Sequence, residues 1–329
     1  MPANLTQQYH KAEQEYRRAS TPDEELRCLQ VMLRELPKHK GTDKLQADLK
    51  QRISKAKSEA ESAKSAKKSH GVRIPRQGAG RVILLGGPNA GKSQLMTAIT
   101  RAKPEVAEYP FTTREPIPGM MPWEDIQIQL IDTPPITVDF LEPYVQGLIR
   151  GSELALLLVD LGADDGIELC QELWDRLNST KTRLGRESYL DQEDIGQSYT
   201  RCFLVPNKID ADEASDRLEM FHELIDLDLE EFVVSAVENQ GLDELKKAIF
   251  DALDVVRVYT KQPNKKDPDL DRPYTIVRGG TLAEVAAMIH RDFATQLKFA
   301  RVWGSEVHDG TTVKGDYILN DRDIIELHI

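Results

Sequence analysis

The sequence predicts an α/β protein: a mainly parallel sheet with helices on both faces, preceded by a helical arm and followed by a small α+β unit. Three observations predict it. Short continuous apolar runs alternate with helical patterns between residues 81 and 253, a GxxxxGKS segment joins the first of these runs to a helical pattern, and the first 70 residues have helical periodicity without strand-like alternation. A chain of 329 residues has room for two or three domains, each with its own core.

Residues 1–70 are expected to form a helical hairpin or coiled-coil-like arm, cut by turn residues at Ser20-Thr21-Pro22 and over 37–41. Thr21-Pro22-Asp23-Glu24 has capping-box spacing with proline at the first helical position, so a helix is expected from there to Leu36, before Pro37. Leu26, Leu29, Leu33 and Leu36 form its apolar stripe; Leu45, Leu49, Ile53 and Ala56 form that of the next helix, whose far end is too polar to bury much. Residues 38–81 carry 13 Lys or Arg against 4 Asp or Glu, a net of +9 that leaves −21 for the rest of a chain totalling −12. The acidic total argues against a surface that clings to nucleic acid throughout, while the basic stretch is either a solvated helix face or an arm that tracks RNA phosphates. It holds no Phe, Tyr or Trp for base stacking. Residues 71–80, GVRIPRQGAG, are expected to be a linker.

Between residues 81 and 253 the apolar runs at 82–85, 126–131, 154–159, 202–205 and 232–234 are expected strands. The polar stretch 178–200 is expected to be a surface insertion. Around a polar break at 261–272, apolar runs at 256–260, 274–277 and 300–303, a helical pattern near 282–290 and the alternating 324–329 suggest the C-terminal unit, 254–329. Trp303 is expected in its core. Cys28, Cys170 and Cys202 are scattered and odd in number, which suits a reducing compartment and offers no disulfide or zinc framework. No apolar run approaches the ~20 residues that span a bilayer, and the start lacks the apolar stretch of a secretion signal. A cytoplasmic location without membrane partners is expected. The seven histidines show no metal-ligand spacing.

Gly86-Gly87-Pro88-Asn89-Ala90-Gly91-Lys92-Ser93 fits the P-loop pattern and opens a helix at Gln94. Its backbone N–H groups can curl around a pyrophosphate, Lys92 can reach the β and γ phosphates, and Ser93 can ligate magnesium. Asp132, 40 residues after Lys92 at the end of a strand, is placed to hold the same metal. Asn207-Lys208-Ile209-Asp210 follows another strand; a carboxylate at Asp210 can accept the two N–H groups that guanine presents and adenine does not, and such paired hydrogen bonds discriminate steeply. Ser235-Ala236 follows 25 residues after Asp210, where backbone amides could meet the guanine carbonyl. Tyr109-Pro110-Phe111-Thr112-Thr113 offers hydroxyls for the metal in a segment that could order around the γ phosphate, with Thr113 favoured over Thr112.

These residues together resemble the Obg/HflX-type translation-factor-related GTPases. The C-terminal segment narrows the likeness to the developmentally regulated branch: Arg257-Val258-Tyr259-Thr260-Lys261, Ile289-His290, Phe299 to Ser305 in the order FARVWGS, and Leu319-Asn320-Asp321-Arg322-Asp323-Ile324-Ile325 look like its TGS domain, a ubiquitin-like β-grasp module. The resemblance, which covers about residues 81–329, implies binding and hydrolysis of GTP to GDP with magnesium, and engagement of ribosome or RNA through the TGS domain, to which the charge of the basic arm adds a candidate second contact. Lys92 and Thr113 would be the catalytic residues. The asparagine-bearing P-loop also resembles GTPases in which the residue at Asn89 binds a potassium ion.

Three departures accompany the likeness. The DxxG motif reads Asp132-Thr133-Pro134-Pro135, and Pro135 has no N–H to offer a γ phosphate. Ile136 stands where many GTPases carry a water-orienting glutamine, so slow intrinsic hydrolysis is expected. Only 46 residues separate Asp160 from Asn207, too few for the insert domain of eukaryotic branch members. The alternative to a slow GTPase is a GTP-binding regulatory or scaffold module with little or no turnover. ATP use is disfavoured by the intact Asn207-Lys208-Ile209-Asp210.

Overall fold

The computed structural model describes residues 6–18, 22–37, 42–65, 74–100, 116–191, 197–263, 265 and 267–329. Three helices come first: α1 (Gln7–Arg18), α2 (Pro22–Glu35) and α3 (Asp43–Ser65). They bury Tyr9, Ala12, Leu29, Met32, Leu36, Leu49 and Ala56 against one another, so the leucine stripes read from the sequence do face a core of their own. Thr21 of the expected capping box lies outside the described residues. The arm touches the next domain through Glu25 and Arg150, 3.6 Å apart.

Residues 74–80 run into β1 across the end of the central sheet, beside β3. Gly78 bridges Ile128, Ala79 N–H donates to Gln127 O at 2.8 Å, and Arg76 pairs with Glu153. The stretch expected to be a linker is thus pinned to the sheet wherever it is described. The central domain then alternates β1 (Arg81–Gly86), α4 (Lys92–Thr100), β2 (Ile117–Trp123), β3 (Ile126–Asp132), α5 (Pro143–Arg150), β4 (Leu154–Asp160), α6 (Gly166–Asn178), β5 (Thr182–Gly185), β6 (Tyr189–Leu190), β7 (Ser198–Asn207), α7 (Ala214–Leu224), β8 (Glu230–Glu231) and α8 (Leu242–Leu253). The sheet order is β2-β3-β1-β4-β7-β5, with β6 and β8 also on β7; β2 and β6 are antiparallel and the other pairings parallel.

Alternation along the inner strands explains their unbroken apolar runs. Leu154, Leu156 and Leu158 face a core closed by α4 and α8, while Ala155, Leu157 and Val159 face one closed by α5, α6 and α7. Three local outcomes differ from expectation. β2, Ile-Pro-Gly-Met-Met-Pro-Trp, goes unread because two prolines and a glycine argue against a strand; it survives at the sheet edge, where proline is tolerated. The run at 232–234 gives only the two-residue β8 just before it and a bridge from Val234 to Asn207. The polar insertion 178–200 extends the sheet through β5 and β6, burying Thr182 and Leu184.

The C-terminal unit comprises β9 (Val255–Thr260), β10 (Asp269–Val277), α9 (Leu282–Ile289), α10 (Arg291–Gln296), β11 (Phe299–Gly304), β12 (Val307–Val313) and β13 (Asp323–His328), with sheet order β10-β9-β13-β11-β12. Thr281 and Glu284 form a capping box that starts α9, which packs Leu282 and Val285 onto Val256, Val258, Ala300, Val302 and Ile325. This is the β-grasp layout. Trp303 does not join that core: it alternates with the buried Val302 and lies on the opposite face, under the Lys261 ammonium at 4.3 Å. The strand period of two decides its side.

The two sheets meet at the β2–β3 turn. Arg257, only 4% exposed in its side chain, binds Glu124 and Asp125 across the boundary and Asp321 within its own unit, while the Tyr259 hydroxyl donates to Asp125. Hydrogen bonding to Asp321, against the cost of burial, raises the Arg257 pKa further, so it stays charged. No described helix is long and apolar enough to cross a membrane. The three cysteines are buried and form no disulfide, and among the described residues no cluster of three metal-ligating side chains occurs.

Candidate nucleotide site

At the carboxyl ends of β1, β3 and β7 lies a cavity of about 610 Å³. Asn89, Ala90, Gly91, Lys92, Ser93, Gln94, Asp132 and Lys208 line it, joined by Ile117, Thr133, Pro134, Pro135 and Val237, which sequence reasoning did not assign to nucleotide binding. Gly86 and Pro88 belong to the same loop without lining the cavity. The loop depends on backbone freedom at two places: Asn89 and Gly91 have φ of 58° and 86°, and a Cβ on Gly91 would sit 2.3 Å from Asn207 Nδ2.

Lys92 is buried, and its ammonium donates to Gly86 O at 3.0 Å and Gly87 O at 2.8 Å. Burial lowers its pKa to about 8, with the Asp132 carboxylate pulling the other way. Ser93 Oγ donates to Asp132 Oδ2 at 2.5 Å, whereas Asp132 Oδ1 is buried without a hydrogen-bond partner. Desolvation raises the Asp132 pKa, opposed by the Ser93 bond and by Lys92. An unpartnered buried carboxylate oxygen is costly unless something else supplies a charge. A serine hydroxyl and a carboxylate are the hard oxygen donors that suit magnesium.

Asn207 is a brace. Its Nδ2 donates to Ala90 O at 3.0 Å and its Oδ1 accepts from Ala236 N–H at 3.1 Å, tying the P-loop to the 235–236 segment. The Ala236 amide, expected to face a base carbonyl, is engaged by this side chain, and Ser235 is fully buried, its Oγ accepting from Glu238 N–H. Lys208 adopts φ 68° and places its ammonium 2.6 Å from Asp160 Oδ2, with its stem over Gly162. Asp210 stands exposed at the loop end. Asp160, which the sequence reading used only as a landmark, is 4% exposed and also accepts from Gly162 N–H; an aspartate ending an apolar strand is the signal that could have marked it.

Beyond Asp132, Thr133 Oγ1 donates to Leu84 O at 2.6 Å and Ile136 N–H to Gly86 O at 3.3 Å. Pro135 is exposed at the cavity rim, while Ile136 turns into the core beneath. Thr112 and Thr113 lie outside the described residues.

A family model described as 50S ribosome-binding GTPase matches residues 81–188, and a TGS domain model matches residues 256–329. An uncharacterized GTP-binding protein of Methanocaldococcus jannaschii is 28% identical over 368 residues, covering 93% of each chain. Developmentally-regulated G-protein 1 of Arabidopsis thaliana is 28% identical over 369 residues, covering 92% of this chain and 90% of its own. Over nearly its whole length the chain is thus similar to Obg/DRG-type GTP-binding proteins. As in that type, its α/β G domain is followed by a separate TGS domain of β-grasp architecture. The YchF GTPase of Schizosaccharomyces pombe shares the fold at a TM-score of 0.50 and 12% identity, over 77% of this chain and 99% of that one.

Proposed function

We propose that this Obg/DRG-like protein binds GTP and GDP with magnesium, hydrolyses GTP slowly, and works with ribosome or RNA, using an arm (1–70), a G domain (81–253) and a TGS domain (254–329). The carrying observation is that Lys92, Ser93 and Asp132 converge on one cavity with Asp132 Oδ1 buried and unpartnered. Backbone amides of the loop from Gly86 to Gln94 would cradle the phosphates, and Lys92 would leave the two carbonyls for phosphate oxygens. Ser93, Asp132 and Thr113 would hold magnesium, which when bound neutralises charge on the phosphate oxygens. Asp210 would read the guanine edge, with the Lys208 stem against its face and Asn207, Ser235 and Ala236 fixing the loops. Asn89 would take a potassium ion; equal turnover in potassium and sodium chloride at equal ionic strength would remove that assignment.

A second reading has a specific observation behind it. Pro135 at the rim has no N–H to meet a γ phosphate, and the apolar, buried Ile136 has no side-chain group to orient an attacking water. The protein would then be a GTP-operated binding module. Calorimetry with GDP and a non-hydrolysable GTP analogue tests guanine binding common to both readings. Turnover no faster than that of Lys92→Ala, with ribosomes and potassium present, decides for the module. Ribosome co-sedimentation that weakens with salt and with loss of residues 1–70 would support the arm as a phosphate-tracking element.

A further inference from the structure

We propose that the β2–β3 hairpin couples the nucleotide site to the TGS domain, so that the GTP and GDP forms hold that domain in different placements. This rests on the reading of the cavity as a GTP site.

One end of the hairpin is part of the cavity: Ile117 stands opposite Asp132 in the ladder, and both line it. The other end is the Glu124-Asp125 turn that joins the Trp123–Ile126 pair. Strands of seven residues at ~3.3 Å each put these ends about 20 Å apart. The TGS domain grips the turn: Arg257 binds both acids, the Tyr259 hydroxyl donates to Asp125, and Arg322 donates to Glu124 at 3.0 Å. Asp321 fixes Arg257 in turn, with bonds of 3.1 and 2.7 Å. Arg257 also lies 5.4 Å over the Phe250 ring, and Phe250 stacks on Trp123 at 5.9 Å. The hairpin tip cannot shift without breaking these directional contacts.

The outer strand of the hairpin is its displaceable part. Among the described residues β2 pairs with β3 alone, and Pro118 and Pro122 remove two of its seven donors. Its inner face meets α4 closely at Gly119, where a Cβ would sit 3.1 Å from Thr100 and 3.2 Å from Met96, so the strand and that helix shift together. A change of contacts at Asp132 and Ile117 therefore acts on a lever whose far end has a fixed set of ion pairs, and such sets hold or release rather than stretch. Coupling is reciprocal: whatever releases the TGS domain must alter the preference for GTP over GDP.

The test uses the full chain with Glu219→Cys and Asp309→Cys, one exposed position in each domain. The native cysteines are all buried, so the introduced thiols take the spin labels. Distances are read with GDP and with a non-hydrolysable GTP analogue, and calorimetry on the same samples verifies that each nucleotide is bound. The two distance distributions are expected to differ in this protein and to coincide once Glu124→Gln and Asp125→Asn are added. Without the labels, that double substitution is expected to change the GTP-to-GDP affinity ratio about 5-fold or more, with the thermal melt verifying that the variant is folded. Coincident distributions with both nucleotides bound, or an unchanged affinity ratio in a folded variant, overturn the coupling while leaving the GTP site intact. Absence of heat with either nucleotide overturns the GTP reading, and the coupling with it.

Discussion

Lys92 donates to the carbonyls of Gly86 and Gly87 from a buried position, and burial brings its pKa down to about 8. A phosphate ligand favours the charged form, so above pH 8 binding must take up a proton. GDP affinity is therefore expected to fall by up to about tenfold per pH unit as pH rises from 8 toward 10. Titrations in buffers of different ionisation enthalpy measure that uptake; a flat affinity to pH 10 would contradict it. Asp210 offers a second residue-level outcome, because its carboxylate is exposed where a base edge would arrive. Asp210→Asn exchanges an acceptor for a donor at one atom, and is expected to weaken GTP binding by about a hundredfold and favour xanthosine triphosphate. Competition between the two nucleotides reads this directly. Both positions stand out in the sequence because phosphate and base chemistry calls for particular residue types at fixed spacings. The bracing role of Asn207 does not, since its partners Ala90 and Ala236 contribute only backbone atoms.

Among elements, the β2–β3 turn joins two domains through carboxylates that carry a pH signature. Hydrogen bonding from Arg257 holds Glu124 below its ordinary pKa. At Asp125 and Asp321 desolvation opposes the effect, yet bonds from Tyr259 and Arg257 to the first, and from Arg257 to the second, bring both below the usual range. Groups with depressed pKa stabilise the contact fully above their unfolded values, near ~4, and lose it as pH falls through the lower folded values. TGS docking is thus expected to persist at pH 5 and fail below about pH 4, seen as an increase in the inter-label distance. Strands with two buried faces were readable from their unbroken apolar runs. β2 was not, because an edge strand needs only one partner and tolerates the prolines that mark it as a turn. Trp303 was misplaced for a related reason: the apolar run 300–303 hides an alternation in which only Ala300 and Val302 face α9.

Among the described residues the molecule has three separate hydrophobic bodies: the arm, the G domain with a core on each face of its sheet, and the TGS domain. Leu49 is fully buried within the arm. Leu49→Ala is expected to cost the arm about 2–5 kcal/mol while GDP affinity stays unchanged. Hydrogen exchange should then speed up in α1–α3 alone; faster exchange in α4 or β1 would mean that the bodies fold as one. At this scale the sequence revealed the division through composition and charge, but not the contacts between bodies, since Arg257 and Glu124 are 133 residues apart between neighbours of no periodic pattern. One outer strand finally bears on how the protein behaves in crowded solution. Among the described residues the outer rim of β2 has no partner strand and would invite another chain to continue the ladder, but Pro118 and Pro122 give an incoming polypeptide no N–H donor at those points. Replacing both with threonine should leave the nucleotide cavity intact and promote slow fibrous self-assembly at high concentration, detectable by light scattering.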